Sequence, residues 1–297
     1  MTTDPLAATD GRPAAPTGVA RRRWTAAGLL VVAVGWSLSG LDVTLDRLLG
    51  APGDAWDIFR HMFPPAFGEA AERGVVGKVF ESVHIAWIGT LIGALFSLPL
   101  AFLAAGNVAP AWVRAPVRQL FNVIRAVPEL ILAVILIPIT GLGPWAGALA
   151  IGVHSVGTLG KWATEAIEGI DDGPLEAVAA TGGRWASGMR WGVLPQILPV
   201  VTSQWLFRFE INVRASAVLG MIGAGGVGSE LVSQLVFRNF PAVGAVLAMT
   251  VVVVLTIDTV SAAVRRRIIR GTGRAPGDGM DENRNAAVLA DLTGFGR

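Results

Sequence analysis

The chain has 297 residues, of which 53% are hydrophobic and only 15% charged, and its mean hydropathy is +0.57. An ordinary globular domain carries roughly 25% charged residues, so a water-soluble particle of this size is excluded and an integral membrane protein is expected. Cysteine is absent, which excludes disulfides, thiolate nucleophiles and Cys-ligated metal centres. The formal charge is +2 and the basic residues sit mostly at the ends of apolar runs. That pattern sets orientation in a membrane, against lipid, and does not point to nucleic acid.

Residues 1–20 are rich in Ala, Pro, Thr and Gly without an apolar period and read as a disordered tail. Arg21, Arg22 and Arg23 then lead into an apolar run over 24–41. No small-x-small cleavage site follows at the expected place, so this run reads as a retained first span and not as a signal peptide. Residues 42–80 form the longest polar connection, with Asp42, Asp46, Asp54, Asp57, Pro64, Pro65 and Glu72. Five further apolar stretches lie near 82–105, 121–139, 144–166, 195–216 and 242–264. Each is about 20 residues, the length with which a helix crosses the hydrocarbon layer. The expectation is an all-α, multi-pass protein with about six transmembrane helices in one membrane domain, 21–270, followed by a disordered tail, 271–297.

The segments that would face the cytoplasm with both termini inside hold sixteen basic residues, among them Arg114, Arg118, Lys161, Arg184, Arg190 and seven arginines from Arg265 onward. The opposite side holds five: Arg47, Arg60, Arg73, Lys78 and Arg238. This asymmetry predicts an N-in, C-in topology. Arg125, Arg208 and Arg214 fall inside apolar stretches.

Between the fourth and fifth spans, residues 169–194 read as a cytoplasmic helical hairpin. Asp171 and Asp172 suit a helix start, Pro174 a first-turn position, and Gly182 and Gly183 a left-handed stop. A second short helix from Arg184 is expected to end near Leu194, where Pro195 opens the next span. Ala177, Ala179 and Ala180 would give a smooth face for another protein. Within this hairpin Glu176-Ala177-Val178, then Gly182, then Leu194-Pro195 resembles the EAA signature of permease subunits of bacterial ABC importers. Two positions depart from it: Val178 stands for the third-position Ala, and Gly192 for the usual Ile. The resemblance implies that the hairpin, with Gly183, docks on a separate ATPase subunit. The chain itself offers no phosphate-binding loop, since Gly157-Thr-Leu-Gly-Lys161-Trp162 lacks both the spacing and the hydroxyl of G-x-x-x-x-G-K-[ST].

Residues 218–228, VLGMIGAGGVG, satisfy G-x-G-x-x-G through Gly223, Gly225 and Gly228. A dinucleotide site is excluded because no acid follows about 20 residues on and the next segment is a membrane span. Gly223, Gly225 and Gly226 instead read as part of a re-entrant turn near a pathway mouth, where non-helical backbone survives only if buried or lining a wet cavity. A tight helix–helix connection is the alternative.

Ionisable residues within spans usually face a polar interior. Span five carries Arg208, Glu210, Asn212 and Arg214; Glu210 and Arg214 stand at i, i+4, the favourable order for a helical ion pair, which would leave Arg208 free. Structural glue between helices is the other reading. Span four places His154, Thr158, Lys161 and Glu165 on one face, and span three holds Arg125, Pro128 and Glu129, with a kink expected at the proline. No catalytic set and no metal cluster emerges, so neither an enzyme nor a cofactor is expected in this chain.

The stretches NVIRAVPEL (122–130), HSVGTLGKW (154–162), GVLPQILP (192–199) and FEINVRASAVLGMIGAGGVG (209–228) resemble the phosphonate-type branch of these permeases, over residues 78–268. This resemblance implies a methionine-permease-like architecture in the bacterial cytoplasmic membrane. It implies two permease copies, two ATPase subunits carrying the ATP and Mg, and an external solute-binding protein. The implied solute is a phosphonate, phosphite or phosphate, with Arg208, Arg214, His154, Ser155, Glu210 and Arg125 as candidates along the pathway. Import of another small solute such as methionine, and a secondary transporter driven by an ion gradient, are the alternatives.

Overall fold

A computed structural model describes residues 17–40 and 45–272, and every regular element among them is helical. The expected tails therefore lie largely outside the described residues. Packing divides the chain into two units, one ending at Arg60 and the other starting at His61.

In the first unit, α1 (Thr17–Ser39) is 23 residues long. Leu29, Val31, Val32 and Trp36 are all exposed on it, but with Arg21, Arg22 and Arg23 in its first turns it is not among the described helices apolar enough to cross a membrane. The polar connection expected over 42–80 is instead mostly helix. α2 (Leu45–His61) contains Pro52 and runs one residue into the second unit, and α3 is Phe67–Glu72. Of the acidic residues that made this stretch look like a loop, Asp46 lies in the first turn of α2, Asp54 and Asp57 lie within that helix, and Glu72 ends α3, whose first turn holds Glu69.

The second unit is a helical bundle. It comprises α3, α4 (Val75–Ala104), α5 (Ala111–Ala126), α6 (Glu129–Thr140), α7 (Pro144–Glu168), α8 (Gly173–Ala180), α9 (Trp185–Ser187), α10 (Leu194–Leu219), α11 (Gly226–Val236) and α12 (Phe240–Thr272). A π-helical turn over Gly188–Val193 leads into α10, and a second over Gly220–Ala224 follows it. Helices α4 and α12 are long and apolar enough to cross a membrane on their own. The pairs α5/α6, bent by 90°, and Trp185–Ala224/Gly226–Val236, bent by 58°, qualify if each is one span.

Helix α7 has 25 residues, about 37 Å at 1.5 Å per residue, yet it is less apolar than a lipid-facing span. Its position explains this: it lies against α4, and its buried face is largely Ala, Gly and Ser. A Cβ on Gly89 would lie 2.6 Å from Ile151, one on Gly93 2.5 Å from Ser155, and one on Gly152 2.9 Å from Ile92. Missing side chains on each helix thus receive side chains of the other, the close packing that drives helix association in membranes.

The third predicted span, 121–139, is two helices. Val127 is extended (φ −88°, ψ 118°) ahead of Pro128, as the ring of a proline forces on the residue before it. The expected kink is a complete break, and it puts Arg125 at the end of α5 and Glu129 at the start of α6.

Candidate functional site

The hairpin over 169–194 is held by backbone geometry its sequence foretells. Asp171 Oδ1 accepts from Gly173 N–H at 3.0 Å, and Pro174 occupies the first turn of α8. At the other end Gly182 takes φ +74°. The Gly182 N–H donates to Ala179 O at 2.9 Å and the Gly183 N–H to Val178 O at 3.0 Å. This 6→1 and 5→2 pair is a Schellman stop, and only glycine adopts the left-handed position without strain. Both departures from the EAA pattern are accommodated locally. Val178 packs over Gly183, where an added Cβ would lie 2.5 Å from Val178 Cγ1; Leu175 packs over Gly192, 3.1 Å from the position a Cβ would take.

The second arm differs from expectation. It does not stop at Leu194: α9, the π turn and α10 are contiguous through Pro195, which sits in the first turn of α10 where its missing N–H costs nothing. Glu176, Ala177, Ala179, Ala180 and Trp185 are exposed, while Val193 and Ile197 are buried against Ala101, Ala163 and Ile167. One side of the hairpin is anchored in the bundle and the other is left open.

Deeper in the bundle, Arg208 of α10 is 5% exposed. Its Nε donates to Ser155 Oγ at 3.1 Å, and its Nη2 lies 2.7 Å from His154 Nδ1 and 3.5 Å from Glu129 Oε2. An arginine has no acceptor, so His154 Nδ1 accepts and the ring proton is on Nε2. Asn212, one turn on, donates to Ser155 Oγ at 3.1 Å and to Thr90 Oγ1 at 2.9 Å. Arg208, His154, Glu129, Pro128 and Leu219 line a cavity of about 350 Å³. Four helices supply this cluster: α4 through Thr90, α6 through its break at Pro128, α7 through the close contact at Gly93, and α10. A buried guanidinium with hydroxyl and imidazole neighbours can hold an oxyanion by bidentate contact.

Sequence reasoning nominated Arg208, His154 and Ser155, and the structure brings them together. It recorded Glu129 and Asn212 only as polar residues in spans, and missed Thr90, whose hydroxyl gives no periodic signal. The expected Glu210–Arg214 pair is not formed. Glu210 Oε1 lies 3.1 Å from Arg265, and Arg214 Nη2 lies 3.2 Å from Asp258, both partners on α12. The two contacts alternate in sign along antiparallel helices, so Glu210 and Arg214 join α10 to α12. Arg125 is exposed at the end of α5, and Lys161 lies 3.8 Å from Glu165 on an exposed face.

In the glycine segment, Gly223, Gly225 and Gly226 have φ of 98°, 76° and 72°. The Val227 N–H donates to Ser82 Oγ at 2.9 Å, and Gly143 N–H to Gly223 O at 3.0 Å. The turn is wedged between α4 and the start of α7, and α11 after it is 11 residues long, about 16 Å and half the hydrocarbon thickness.

Comparison with known proteins agrees with this architecture. A family model described as binding-protein-dependent transport system inner membrane component matches residues 97–273. The chain is 40% identical over 216 residues to the phosphate-import permease protein PhnE of Mycolicibacterium smegmatis, covering 71% of this chain but only 40% of that relative's length. It is 38% identical over 232 residues to the phosphite transport system permease protein PtxC of Stutzerimonas stutzeri, covering 78% of this chain and 83% of the relative. Among solved structures, a chain of the inward-facing MetNI methionine ABC transporter matches with a TM-score of 0.59 at 24% identity, covering 65% of this chain and 95% of that one. That likeness carries the fold alone. With its helical bundle, its EAA-like hairpin and these relatives, the chain belongs to the binding-protein-dependent transport system inner membrane components, the permease subunits of ABC importers.

Proposed function

We propose that this permease moves a phosphorus oxyanion, a phosphonate, phosphite or phosphate, through a pathway bordered by the Arg208 cavity. The observation that carries the solute class is the buried guanidinium of Arg208, flanked by His154 and Ser155 and open to a cavity of about 350 Å³. The printed names of the relatives, phosphate import and phosphite transport, support the same class.

Two copies of the chain and an external binding protein complete the importer, and ATP with Mg is held by two partner ATPase subunits. The open face of the hairpin, with Glu176, Ala177 and the Gly182-Gly183 stop, docks on an ATPase. ATP-driven closure of the ATPases moves the hairpin, and through the contiguous second arm that motion enters α10, which carries Arg208. The pathway then alternates between inward- and outward-facing states. The glycine turn at 223–226 borders the pathway from the other end of α10 as a re-entrant element.

The test is reconstitution of the permease in proteoliposomes with its ATPase and binding protein, measuring uptake of labelled phosphate, phosphite and methylphosphonate with and without ATP. ATP-dependent uptake of at least one supports the reading. Uptake driven by an ion gradient without the ATPase, or uptake of methionine in place of all three, would overturn it.

A further inference from the structure

We propose that Glu129 is the resident counter-anion of Arg208, displaced by the transported oxyanion and returning when it leaves, so that it limits how tightly the site holds its solute. This rests on the solute class proposed above.

The geometry separates a fixed partner from a movable one. Arg208 is anchored deep in α10, its side chain 6% exposed and bonded to Ser155 and His154 at 3.1 and 2.7 Å. Glu129 approaches from the cavity side, its side chain 27% exposed. Its contact with Arg208 is long, 3.5 Å, whereas a charge-assisted hydrogen bond closes to about 2.7–2.9 Å, and His154 Nδ1, 3.6 Å away, is itself an acceptor and does not bond it. The carboxylate therefore pairs with Arg208 by charge without being locked to it. It is also the first residue of α6, directly beyond the break at Pro128 and ahead of the Leu132, Ala133 and Leu136 stretch that packs on α7 and α10, so a change of its own rotamer withdraws it while that packing stays in place.

Chemistry supplies the exchange. A buried arginine without a counter-charge is strongly unfavourable, so the empty site requires Glu129. A phosphorus oxyanion offers the same paired acceptor oxygens as a carboxylate. Both anions cannot share one guanidinium at this depth, because like charges in a poorly solvated site repel strongly. Entry of the solute therefore expels Glu129, and its return assists release. A permeation site needs binding favourable enough to admit the ion and weak enough to let it go; a built-in competitor achieves this.

The experiment is equilibrium binding of labelled inorganic phosphate to the assembled transporter in nanodiscs, paired with uptake in proteoliposomes. Glu129→Gln is expected to bind phosphate at least tenfold more tightly than the wild type while transporting it several-fold more slowly. Glu129→Asp, which keeps the charge but draws it back, should fall between them and guards against a folding failure in the first variant. The double variant Glu129→Gln/Arg208→Gln should lose the added affinity. Phosphate binding unchanged or weaker in well-folded Glu129→Gln, with wild-type uptake intact, overturns the proposal and leaves the solute class standing. Tighter binding in Glu129→Gln without any wild-type uptake of phosphorus oxyanions would support the counter-anion and count against the solute class.

Discussion

The side-chain amide of Gln196 pairs with the backbone of Asp171 as one strand pairs with another: its Oε1 accepts from the Asp171 N–H at 2.9 Å and its Nε2 donates to the Asp171 carbonyl at 3.0 Å. Nε2 also donates to Gly192 O at 2.8 Å. These bonds close the base of the hairpin, joining the chain that leaves α7 to the first turn of α10. Nearby, Glu168 at the end of α7 accepts from Gly106 N–H at 2.6 Å and pairs with Arg118, whose Nε donates to Ala104 O at 2.9 Å. The base of the hairpin is thus closed onto α10, and the end of α7 from which it springs is fastened to α5 and to the end of α4.

Gln196→Leu removes the bracket while preserving most of the volume. With a net contribution of about 1 kcal/mol for each of its three hydrogen bonds, a loss of about 3 kcal/mol is expected locally. ATP hydrolysis by the reconstituted complex should persist while solute moved per ATP falls several-fold. An unchanged ratio would show that the hairpin transmits motion without this closure.

Arg265→Leu leaves the Glu210 carboxylate, whose side chain is 6% exposed, without its α12 partner. Removing one member of a buried pair costs about 3–5 kcal/mol, and replacing both with apolar residues can be close to neutral. The single variant should lower the thermal midpoint of the purified protein, and Glu210→Leu/Arg265→Leu should recover most of the loss. Equal destabilisation in the single and double variants would contradict this account of the α10–α12 contact.

Gly160→Val places a side chain in the ring of Phe121, which an added Cβ on Gly160 already overlaps. Overpacking of this kind costs about 1–3 kcal/mol, so α5 should loosen from α7 and the thermal midpoint should fall. Adding Phe121→Ala should restore part of it, whereas Gly28→Val, which meets nothing within 4 Å, should leave the midpoint unaltered.

Gly225→Val combines a positive φ with a Cβ only 2.6 Å from Glu81 Oε1 and 3.1 Å from Pro144. Strain of about 1–3 kcal/mol at such a position, added to the clash, should reduce the yield of folded protein in membranes, read by fluorescence-detected gel filtration. Near wild-type yield would show that the turn can rearrange.

The features legible in the sequence were those set by local chemistry. Asp171, Pro174 and the Gly182-Gly183 pair announce their helix start and stop within a few residues, and the structure has both. Arg208 and His154 were found because polar groups on apolar helices must face something other than lipid, and Ser155 only through the resemblance of the HSVGTLGKW stretch to phosphonate-type permeases. What was misread depended on a second helix. Glu210 and Arg214 satisfy the intrahelical rule perfectly well on paper, but Asp258 and Arg265, more than forty residues away, offer them an interhelical ladder. Glu129 looked like one more polar residue until the break at Pro128 turned it toward Arg208. The stretch 42–80 looked like a loop because its prolines and acids mark helix boundaries as readily as coil, and periodicity alone does not separate the two.

The central claim, that the Arg208 cavity borders the path of an anionic solute, is tested most directly by comparing two arginines of one helix. In proteoliposomes holding the complete importer, ATP-dependent uptake of labelled phosphate, phosphite and methylphosphonate should fall at least tenfold in Arg208→Gln for whichever is the carried solute. It should stay within a few-fold of wild type in Arg214→Gln, whose partner is Asp258 at the α12 face. Uptake in folded, ATPase-bound Arg208→Gln equal to the wild type would contradict the account.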